Sequence, residues 1–556
     1  MTLRPHPVLT RRDFIQAVAG GGAAMGLHSF AGPITADNSQ LASFDVIVVG
    51  GTPGGIAASV AVARLGRRVA LVERHDHLGG MTSSGLGKSD IEHREMIQGL
   101  FAEFIGRVRQ HYVETYGNES KEYELCRDGY YFEPSVAEAV FDQLVAEQTT
   151  LTVLRGYQLE SVLTQDGSVQ GVRVRCREDG QLQALTAPVV IDATYEGDVY
   201  AKAGADFRLG RESRDTFDEP HAGVVYFDYQ NQLFLDGTTG EASDRLPAYT
   251  YRLCLTTDPD NSHRLDAPPP DYNRERYIGY FDDLRAGRLA APKSYKPGRG
   301  YNAAHFDTLV RVLSVTDIPN RKTDVNMNPR PLAFPFAEEH AGYVEGDWAT
   351  RRRIETDLRN LTLGLVWFLQ NDAEVPAAHR EIANQYHWPL DEFADNDHFP
   401  FQLYVREARR LVGEYMLTEH DVTQSSERSN TGRFDDAIAV GEFPIDSFPC
   451  RKRQPGDTIV LEGYLGMLDY ITRPYQIPYR IMIPQAVDGL IVPVAASTSH
   501  VAYSSIRMEP TWMALGQAAG VAAHVALRDG VQPRDVSISA VQQQLKADGQ
   551  VIDLPA

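Results

Sequence analysis

The chain of 556 residues is 43% hydrophobic and 23% charged, so it can bury a large core and form more than one domain. Its formal net charge of −21 argues against nucleic acid or an anionic membrane as a partner. The four cysteines are scattered without a C-x-x-C pair, which argues against zinc ribbons, iron–sulfur clusters and c-type haem, and no metal site is predicted.

The N-terminal segment 1–36 predicts a twin-arginine export signal. Arg11 and Arg12 are paired, Phe14 follows, and a weakly apolar segment rich in Gly and Ala comes next. That segment is too short to span a membrane, and no other transmembrane segment is predicted. A disordered basic tail is the alternative interpretation. We therefore expect a protein that is exported, already folded, to the periplasm or the medium.

The segment Phe44–Arg74 predicts a βαβ unit that binds the ADP half of a dinucleotide. An apolar strand at 46–49 leads into a glycine-rich turn at 50–55 and then into an Ala-rich helix. A second apolar strand at 69–72 ends on the acidic residue Glu73. Strand, turn, helix, strand and acid occur in the order and spacing that this motif requires.

Each part of this motif has a physical role. The pyrophosphate lies at the helix N-terminus, where unpaired N–H groups favour negative charge. Glu73 accepts hydrogen bonds from the ribose hydroxyl groups and disfavours the 2′-phosphate of NADP. Thr52 stands where the G-x-G-x-x-G pattern has its middle glycine. The dinucleotide contacts predicted in this unit are Gly50, Gly51, Thr52, Pro53, Gly54, Gly55, Glu73 and Arg74.

Two further segments continue the predicted dinucleotide site. The loop LGGMTSSGLG at 78–87 is rich in small residues, which let the backbone approach a ligand closely. A predicted β-meander between 156 and 187 leads into a buried strand that ends in Asp-Ala-Thr and is followed by Gly-Asp. His75 and His77 are interpreted as surface loop residues rather than metal ligands. The contacts predicted in these segments are Gly79, Gly80, Met81, Asp192, Ala193, Thr194, Gly197 and Asp198.

The middle of the chain, from about 211 to 471, lacks βαβ periodicity and is interpreted as a substrate-covering domain. Its polar and aromatic loops suit a hydroxylated substrate such as a sugar or polyol; an ordinary α+β cap with no legible specificity is the alternative. Within it, Tyr404–Tyr415 predicts a charged helix along which residues such as Glu407, Arg410 and Glu414 pair.

Near the C-terminus a buried strand at 487–494 precedes a loop and a helix predicted over Thr511–Leu527. Pro510 suits the first helical turn, because the N–H group that proline lacks would have no partner there. Gly516 and Gly520 give the helix a smooth face for close packing against the sheet or a cofactor.

The segments GGTPGGIAA, LGGMTSSGLG and IDATYEGDVYAKAGA, with this C-terminal block, resemble the FAD-dependent oxidoreductases related to fumarate reductase and glutathione reductase. The resemblance implies an α/β fold: a discontinuous Rossmann-like FAD-binding domain of the glutathione-reductase type with an inserted α+β substrate domain. It places the FAD-binding domain at 44–215 and 471–535, the substrate domain at 216–470 and a tail at 536–556. FAD would lie extended across the domain boundary, and it would be non-covalent because 79–87 contains no histidine.

The resemblance also indicates the catalytic residues. In relatives the N-terminus of the C-terminal helix lies at the flavin pyrimidine ring, which makes Glu509 and Pro510 cofactor contacts. His500 and Arg507 are then the catalytic candidates. His500 would take a proton as hydride passes to flavin N5, and Arg507 would stabilise an oxyanion or orient an anionic substrate. The alternative makes His500 a hydrogen-bonded loop residue and Arg507 a structural partner of Glu509.

Three other residues are candidates for the substrate pocket, namely His305, His420 and Tyr503. Phe448 stands in a segment where relatives often carry Asp-Ser-His, at the place of the histidine. If that histidine serves catalysis in relatives, this chain uses another base or a different substrate.

The expected protein is an exported FAD-dependent oxidoreductase that oxidises a small hydroxylated organic substrate by hydride transfer to flavin N5. Oxygen, a quinone or a separate redox protein would reoxidise the flavin. One alternative is a fumarate-reductase-like reductase in which Arg507 protonates an activated alkene. A second is an NAD(P)H-dependent hydroxylase, which the single dinucleotide fingerprint and the exported location disfavour. A third is a non-catalytic flavin- or glycan-binding module, which the polar residues His500 and Arg507 disfavour.

Overall fold

The computed structural model describes residues 41–292, 295, 302–328, 337–423, 432–454 and 460–554. The predicted export signal at 1–36 lies outside these residues. Among the residues that the structure describes, no helix has both the length and the apolarity needed to cross a bilayer.

The strands are numbered in chain order. They are β1 (Leu41–Ser43), β2 (Val46–Val49), β3 (Val69–Glu73), β4 (Leu151–Arg155), β5 (Tyr157–Gln165), β6 (Ser168–Cys176), β7 (Leu182–Thr186), β8 (Val189–Asp192), β9 (Phe207–Arg208), β10 (Phe227–Asp228), β11 (Leu233–Phe234), β12 (Leu253–Thr256), β13 (Leu313–Ile318), β14 (Lys322–Met327), β15 (Arg410–Leu411), β16 (Ala437–Gly441), β17 (Asp446–Ser447), β18 (Gly466–Met467), β19 (Tyr475–Pro478) and β20 (Leu490–Ile491).

The α-helices are numbered in the same way. They are α1 (Pro53–Arg64), α2 (Leu100–Tyr116), α3 (Lys121–Cys126), α4 (Pro134–Ala146), α5 (Asp198–Ala203), α6 (Arg214–Phe217), α7 (Gly279–Arg285), α8 (Trp348–Asn371), α9 (Ala377–Ala383), α10 (Glu419–Val422), α11 (His500–Ile506), α12 (Glu509–Asp529) and α13 (Ile538–Ala547).

A parallel sheet with the strand order β20-β8-β2-β3-β4 positions the nucleotide-binding turns. Every residue of β2, β3 and β8 is buried, as expected for apolar strands covered on both faces. Val46 of β2 pairs with Val69 on one side and with Val189 on the other. Because the three strands are parallel, their carboxyl ends meet at one edge of the sheet. The predicted βαβ unit is present, and Gly50, Glu73 and Asp192 gather at that edge.

The predicted meander covers one face of this sheet. β5, β6 and β7 are antiparallel, and β1 adds to β7 in parallel. The hairpin between β5 and β6 turns at Asp166 and Gly167, whose φ angles of 49° and 81° are those that a tight hairpin turn requires. Apolar residues of the meander form one core with residues such as Ile47 and Val72 of the parallel sheet.

Helix α12 packs directly against α1. A Cβ atom on Gly520 would lie only 2.5 Å from the carbonyl oxygen of Ala58, and one on Gly516 would overlap the carbonyl group of Gly54. The two glycines therefore let two helix backbones touch, whereas the sequence predicted packing against the sheet or a cofactor.

The segment Tyr404–Tyr415 is extended and contains β15, which pairs with β9, so the predicted charged helix was wrong. Charged residues at helical spacing usually mark a solvent-facing helix, but here the side chains point inward: Arg406 and Arg410 are among the most deeply buried in the protein. Arg410 Nη1 donates to Glu212 Oε1 at 2.8 Å. Glu407, three residues away, also lies 2.8 Å from Arg410, so buried carboxylates of the same segment and of a distant one compensate this charge without the predicted helix.

Candidate functional site

The turn between β2 and α1 is tied to the neighbouring strand ends. Gly50 has a φ of 107°, and a Cβ atom there would lie 2.6 Å from the carbonyl oxygen of Ala193. The Thr52 hydroxyl donates to that same carbonyl at 2.9 Å and accepts from the Gly55 amide at 3.2 Å. Thr52 is thus the N-cap of α1, a role that its hydroxyl performs and that the middle glycine of the motif would not.

Glu73 closes the adenosine end of the site. Its carboxylate accepts hydrogen bonds from the amides of Gly51 at 2.6 Å and His75 at 2.7 Å. Burial of the side chain raises the pKa of Glu73, against the opposing effect of these donors. A carboxylate offers about four lone-pair positions, so two remain for ribose hydroxyl groups.

The first cavity of the site opens beside this turn. It encloses about 430 Å³ and is bounded by Gly50, Thr52, Glu73, Arg74 and Thr194, with Tyr157, Leu159 and Trp348 on its apolar side. Such a space, polar at the sheet edge and apolar opposite, fits an adenosine with its base against the rings. The predicted contacts Gly50, Thr52, Glu73, Arg74, Thr194 and Asp198 line it.

The two aspartates predicted near the dinucleotide have other principal partners. Asp192 accepts from the amides of Val199 and Tyr200, at 2.8 and 3.0 Å, and from both donors of Thr194, so its carboxylate holds the turn into α5. Burial raises the pKa of Asp192 to about 6. Asp198 pairs with Arg351 at 2.5 Å and with Arg409 at 3.0 Å. Asp192 therefore shapes the site without facing the cavity, whereas Asp198 lines it as a compensated charge.

A second cavity of about 220 Å³ lies at the N-terminus of α12. Its polar wall includes Thr82, Lys88 and Glu509, and Pro510 and Met513 complete it on the helix side. The cavity therefore joins the glycine-rich loop to the first turn of α12, as the sequence predicted for Glu509 and Pro510.

Tyr195 connects the two cavities. It lines the first, accepts a hydrogen bond from the Met81 amide at 3.1 Å and donates to Glu509 Oε1 at 2.7 Å. An elongated ligand that reaches both cavities must pass this pair. The sequence analysis did not identify Tyr195. Its position directly after the Asp-Ala-Thr motif was the signal that could have indicated it.

Glu509 carries an unused polar atom in this position. Its Oε2 is buried and has no hydrogen-bond partner within the described part of the chain. Burial raises the pKa of Glu509 to about 8. An orphaned carboxyl oxygen at a helix N-terminus fits a ligand that carries its own donors and acceptors, as the flavin end of FAD does.

His500 begins α11 and is held from one side only. Its Nδ1 lies 2.7 Å from Glu407 Oε2, and its amide donates to Glu212 Oε2 at 3.0 Å. Among the described residues, Nε2 has no hydrogen-bond partner. Glu407 in turn lies 2.8 Å from Arg410 Nε. A buried carboxylate thus fixes the ring and favours a proton on Nδ1, which leaves Nε2 free to accept one.

Arg507 does not pair with Glu509, as the structural alternative required. It donates from Nη1 to the Tyr404 hydroxyl at 2.8 Å and from Nη2 to the Asp446 carbonyl at 2.7 Å. Both acceptors are uncharged, although the guanidinium is buried. The positive charge of Arg507 is therefore available to an anionic ligand.

The three other pocket candidates differ in position. His305 Nε2 lies 3.0 Å from the Tyr386 hydroxyl, and half-buried His420 lies 2.7 Å from the Asp218 carbonyl oxygen, so each bonds a distant segment away from His500. Tyr503 is buried on α11, and burial, reinforced by the charge of Glu407, raises its pKa. Only Tyr503 joins the cluster around His500.

A family model described as FAD dependent oxidoreductase matches residues 45–545. A geranylgeranyl bacteriochlorophyll reductase-like protein from Thermoplasma acidophilum is 15% identical over 91% of this chain and 83% of its own, with a TM-score of 0.37. Sdh1 of Mycobacterium smegmatis, solved in complex with UQ1, is 17% identical over 32% of this chain and 42% of its own, with a TM-score of 0.22.

A third solved protein is the glycerol-3-phosphate dehydrogenase of Bacillus halodurans complexed with FAD. It is 16% identical over 34% of this chain and 43% of its own length, with a TM-score of 0.21. The chain thus spans less than half the length of the last two proteins, and such low scores carry no conclusion about substrate. The family match does show the family, because it covers residues 45–545, which is most of the chain. The chain belongs to the family of FAD-dependent oxidoreductases, and its cofactor is FAD.

Proposed function

We propose that this protein oxidises a small hydroxylated organic substrate, such as a sugar or polyol, by hydride transfer to flavin N5. The observation that carries the proposal is the His500–Glu407 pair, in which a buried carboxylate fixes the imidazole at 2.7 Å and Nε2 has no partner among the described residues. Oxidation of an alcohol needs a base of this kind, because the hydroxyl proton must leave as the carbon gives up its hydride.

Each residue of the site has a separate role in this reaction. The substrate C–H bond breaks with both electrons leaving as hydride, which FAD accepts when bound. His500 Nε2 takes the hydroxyl proton, so the C–O bond becomes a carbonyl and charge balances. Glu407 stabilises the imidazolium that results, and its contact with Arg410 keeps the carboxylate in place. Glu73, Thr52 and the turn around them hold the adenosine end, away from this chemistry.

The non-covalent attachment of FAD and the location of the protein are also proposals. Non-covalent FAD is supported by the absence of histidine from 79–87. Export is supported by the paired Arg11 and Arg12, which lie outside the described residues. Reoxidation by oxygen, a quinone or a separate redox protein is supported by the lack of a haem or cluster motif in the sequence.

A second candidate is reduction of an activated alkene. Its supporting observation is Arg507, a buried guanidinium whose hydrogen bonds go to the hydroxyl of Tyr404 and the carbonyl of Asp446. In this direction Arg507 would supply the proton to the alkene carbon while hydride leaves the flavin. A non-catalytic flavin- or glycan-binding module is the third candidate, and the unsatisfied Nε2 of His500 argues against it.

The test is anaerobic bleaching of the purified flavoprotein by a panel of sugars, polyols and hydroxy acids. Bleaching by one of these classes supports the oxidation. Reoxidation of dithionite-reduced protein by enoates, with no bleaching by alcohols, supports the reductase instead, and no response to either class supports the binding module. Acid precipitation that leaves the yellow colour in the pellet would overturn the non-covalent assignment.

A further inference from the structure

Arg406 is a buried cation without a matching anion. Its side chain is 2% exposed, and its guanidinium lies 3.6 Å from the ring centroid of Phe448 and 4.3 Å from that of Tyr404. It donates to the carbonyl oxygen of Ala248 at 2.7 Å and to the side-chain oxygen of Asn326 at 3.5 Å. Within the described part of the chain, no carboxylate forms an ion pair with it.

Such an arrangement is unusual because a buried charge is costly unless a countercharge is near. Other buried arginines of this protein obey that rule: Arg252 makes a two-point contact with Asp324, at 2.7 and 2.8 Å, and Arg211 lies 2.5 Å from Glu462. Burial, with repulsion from Arg507 and Arg252, lowers the pKa of Arg406 to about 9. Arg406 therefore differs from Arg252 and Arg211 and shares with Arg507 the lack of a carboxylate ion pair among the described residues.

Tyr404 brings Arg406 and Arg507 to the same place. Its ring stacks on Arg406, while its hydroxyl accepts the hydrogen bond of Arg507. Both guanidiniums thus use neutral oxygens as hydrogen-bond acceptors. Among the described residues no carboxylate forms an ion pair with either, although the charge of Asp446 attracts both from a longer distance. Arg507 ends α11 and immediately precedes the first turn of α12, where Glu509 lines the second cavity.

The rim of this cluster is partly open and polar. Asp90, Tyr404 and Asp446 are partly exposed, in contrast to the buried arginines beneath them. Among the described residues, the carboxylates of Asp90 and Asp446 have no hydrogen-bond donor of their own. Partly exposed carboxylate oxygens without a donor suit the hydroxyl groups of a ligand.

Phe448 explains why the charge has no partner inside the protein. Its ring covers the guanidinium face of Arg406 and offers a cation–π contact in place of a hydrogen-bond acceptor. Contact with ring faces leaves the edge of the guanidinium, which is the part that binds a carboxylate in a two-point contact.

We propose that Arg406 and Arg507 form a subsite for a carboxylate group of the substrate, so that the hydroxylated substrate is a hydroxy acid. The identification of the substrate as a hydroxy acid rests on the proposed alcohol oxidation. The carboxylate subsite itself can be tested by binding alone. The carboxylate would lie between the two guanidiniums, and its hydroxyl groups would reach Asp90 or Asp446. Neutral sugars and polyols would then be poor ligands.

The test measures binding without turnover. The purified FAD-loaded protein is titrated with malonate, which has carboxylates but no hydroxyl group to oxidise, and with the neutral malonamide. Isothermal calorimetry and the shift of the flavin absorption bands report binding. We expect malonate to bind and malonamide not to bind. Malonamide binding as tightly as malonate would overturn the subsite, and binding of inorganic phosphate but not of malonate would overturn the carboxylate assignment.

Variants locate the site. Arg406→Gln should weaken malonate binding about tenfold or more, because a charge-assisted contact is lost, and Arg406→Lys should weaken it less. Arg480→Gln is the matched control, since this arginine pairs with Asp436 on the surface. Equal malonate affinity in all three variants overturns the role of Arg406. If Arg406→Gln does not fold, the comparison of Arg406→Lys with Arg480→Gln and the titrations of the parent protein still decide the question.

The two proposals fail separately. Malonate binding without bleaching by any hydroxy acid would retain the subsite and reject the alcohol oxidation. Bleaching by neutral polyols without malonate binding would retain the oxidation and reject the subsite.

Discussion

Tyr195 donates a hydrogen bond of 2.7 Å to Glu509 across 314 residues of sequence, and this contact joins the two cavities of the site. The remaining oxygen of Glu509 is buried without a partner in the part of the chain that the structure describes. Because burial raises the pKa of Glu509 to about 8, this carboxyl group is mainly a neutral acid near neutral pH.

The parent protein should lose stability as pH rises because of Glu509, and the substitution Glu509→Gln should remove this loss. In the unfolded chain the group titrates near its ordinary value of 4.5, and in the folded protein near 8. Below the lower value both states hold the proton; as pH rises from there through the folded pKa, the unfolded state loses its proton first and stability falls. The melting temperature of the FAD-free variant, relative to the parent, should rise over this interval. A difference that stays constant with pH would contradict the assignment.

Thr52→Val should destabilise the FAD-free protein by about 1 kcal/mol, because α1 loses its N-cap. The hydroxyl of Thr52 accepts from the Gly55 amide and donates to the Ala193 carbonyl, so valine keeps the shape and loses both bonds. Thr52→Ser retains the hydroxyl and should unfold close to the parent. Urea denaturation of the three proteins measures the free energy of unfolding. Destabilisation by serine but not by valine would show that the methyl packing matters instead of the hydroxyl group.

The sequence predicted the βαβ unit and the position of Glu73 in it, because the motif is local. The amide of Gly51 donates to the carboxylate of Glu73, 22 residues further along the chain, and only one crossover helix separates the two residues. A pattern of about thirty residues therefore contains most of the geometry.

The flavin end was harder to predict, because its contacts join distant segments. Tyr195 links Met81, 114 residues away, to Glu509, and no short pattern signals that pairing. The charged run at Tyr404–Tyr415 was wrongly predicted to be a helix for the same reason. The spacing of Glu407 and Arg410 is visible in the sequence, but the second partner of Arg410, the distant Glu212, is not. Whether charged side chains pair on the surface or in the interior depends on whether the segment is buried. The spacing of the charges along the chain does not reveal that burial.

Gly516→Ala should destabilise the protein by about 1–3 kcal/mol, since its methyl group would overlap the carbonyl group of Gly54 in α1. The matched control is Gly106→Ala in α2, where the added methyl group meets nothing within 4 Å and the glycine is exposed. There alanine should stabilise by roughly 0.5–1 kcal/mol through its higher helix propensity. Urea denaturation measures the free energy of unfolding of both variants, which should change in opposite directions. If both substitutions stabilised the protein, the close backbone contact between α1 and α12 would be contradicted.

His500→Gln should slow flavin bleaching by the reducing substrate about 100-fold or more, because glutamine cannot take the hydroxyl proton. Glu407→Gln should slow it less, since the imidazole remains but loses the carboxylate that lies 2.7 Å from Nδ1 and stabilises its charged form. The control is His305→Gln, whose histidine bonds the Tyr386 hydroxyl and should leave the rate unchanged. Stopped-flow absorbance under anaerobic conditions gives the rates, and flavin content confirms that each variant is loaded. A His500→Gln protein that bleaches at the parent rate would exclude His500 as the base and leave Asp446 or Tyr503, the other titratable groups of this cluster, to be tested in the same way.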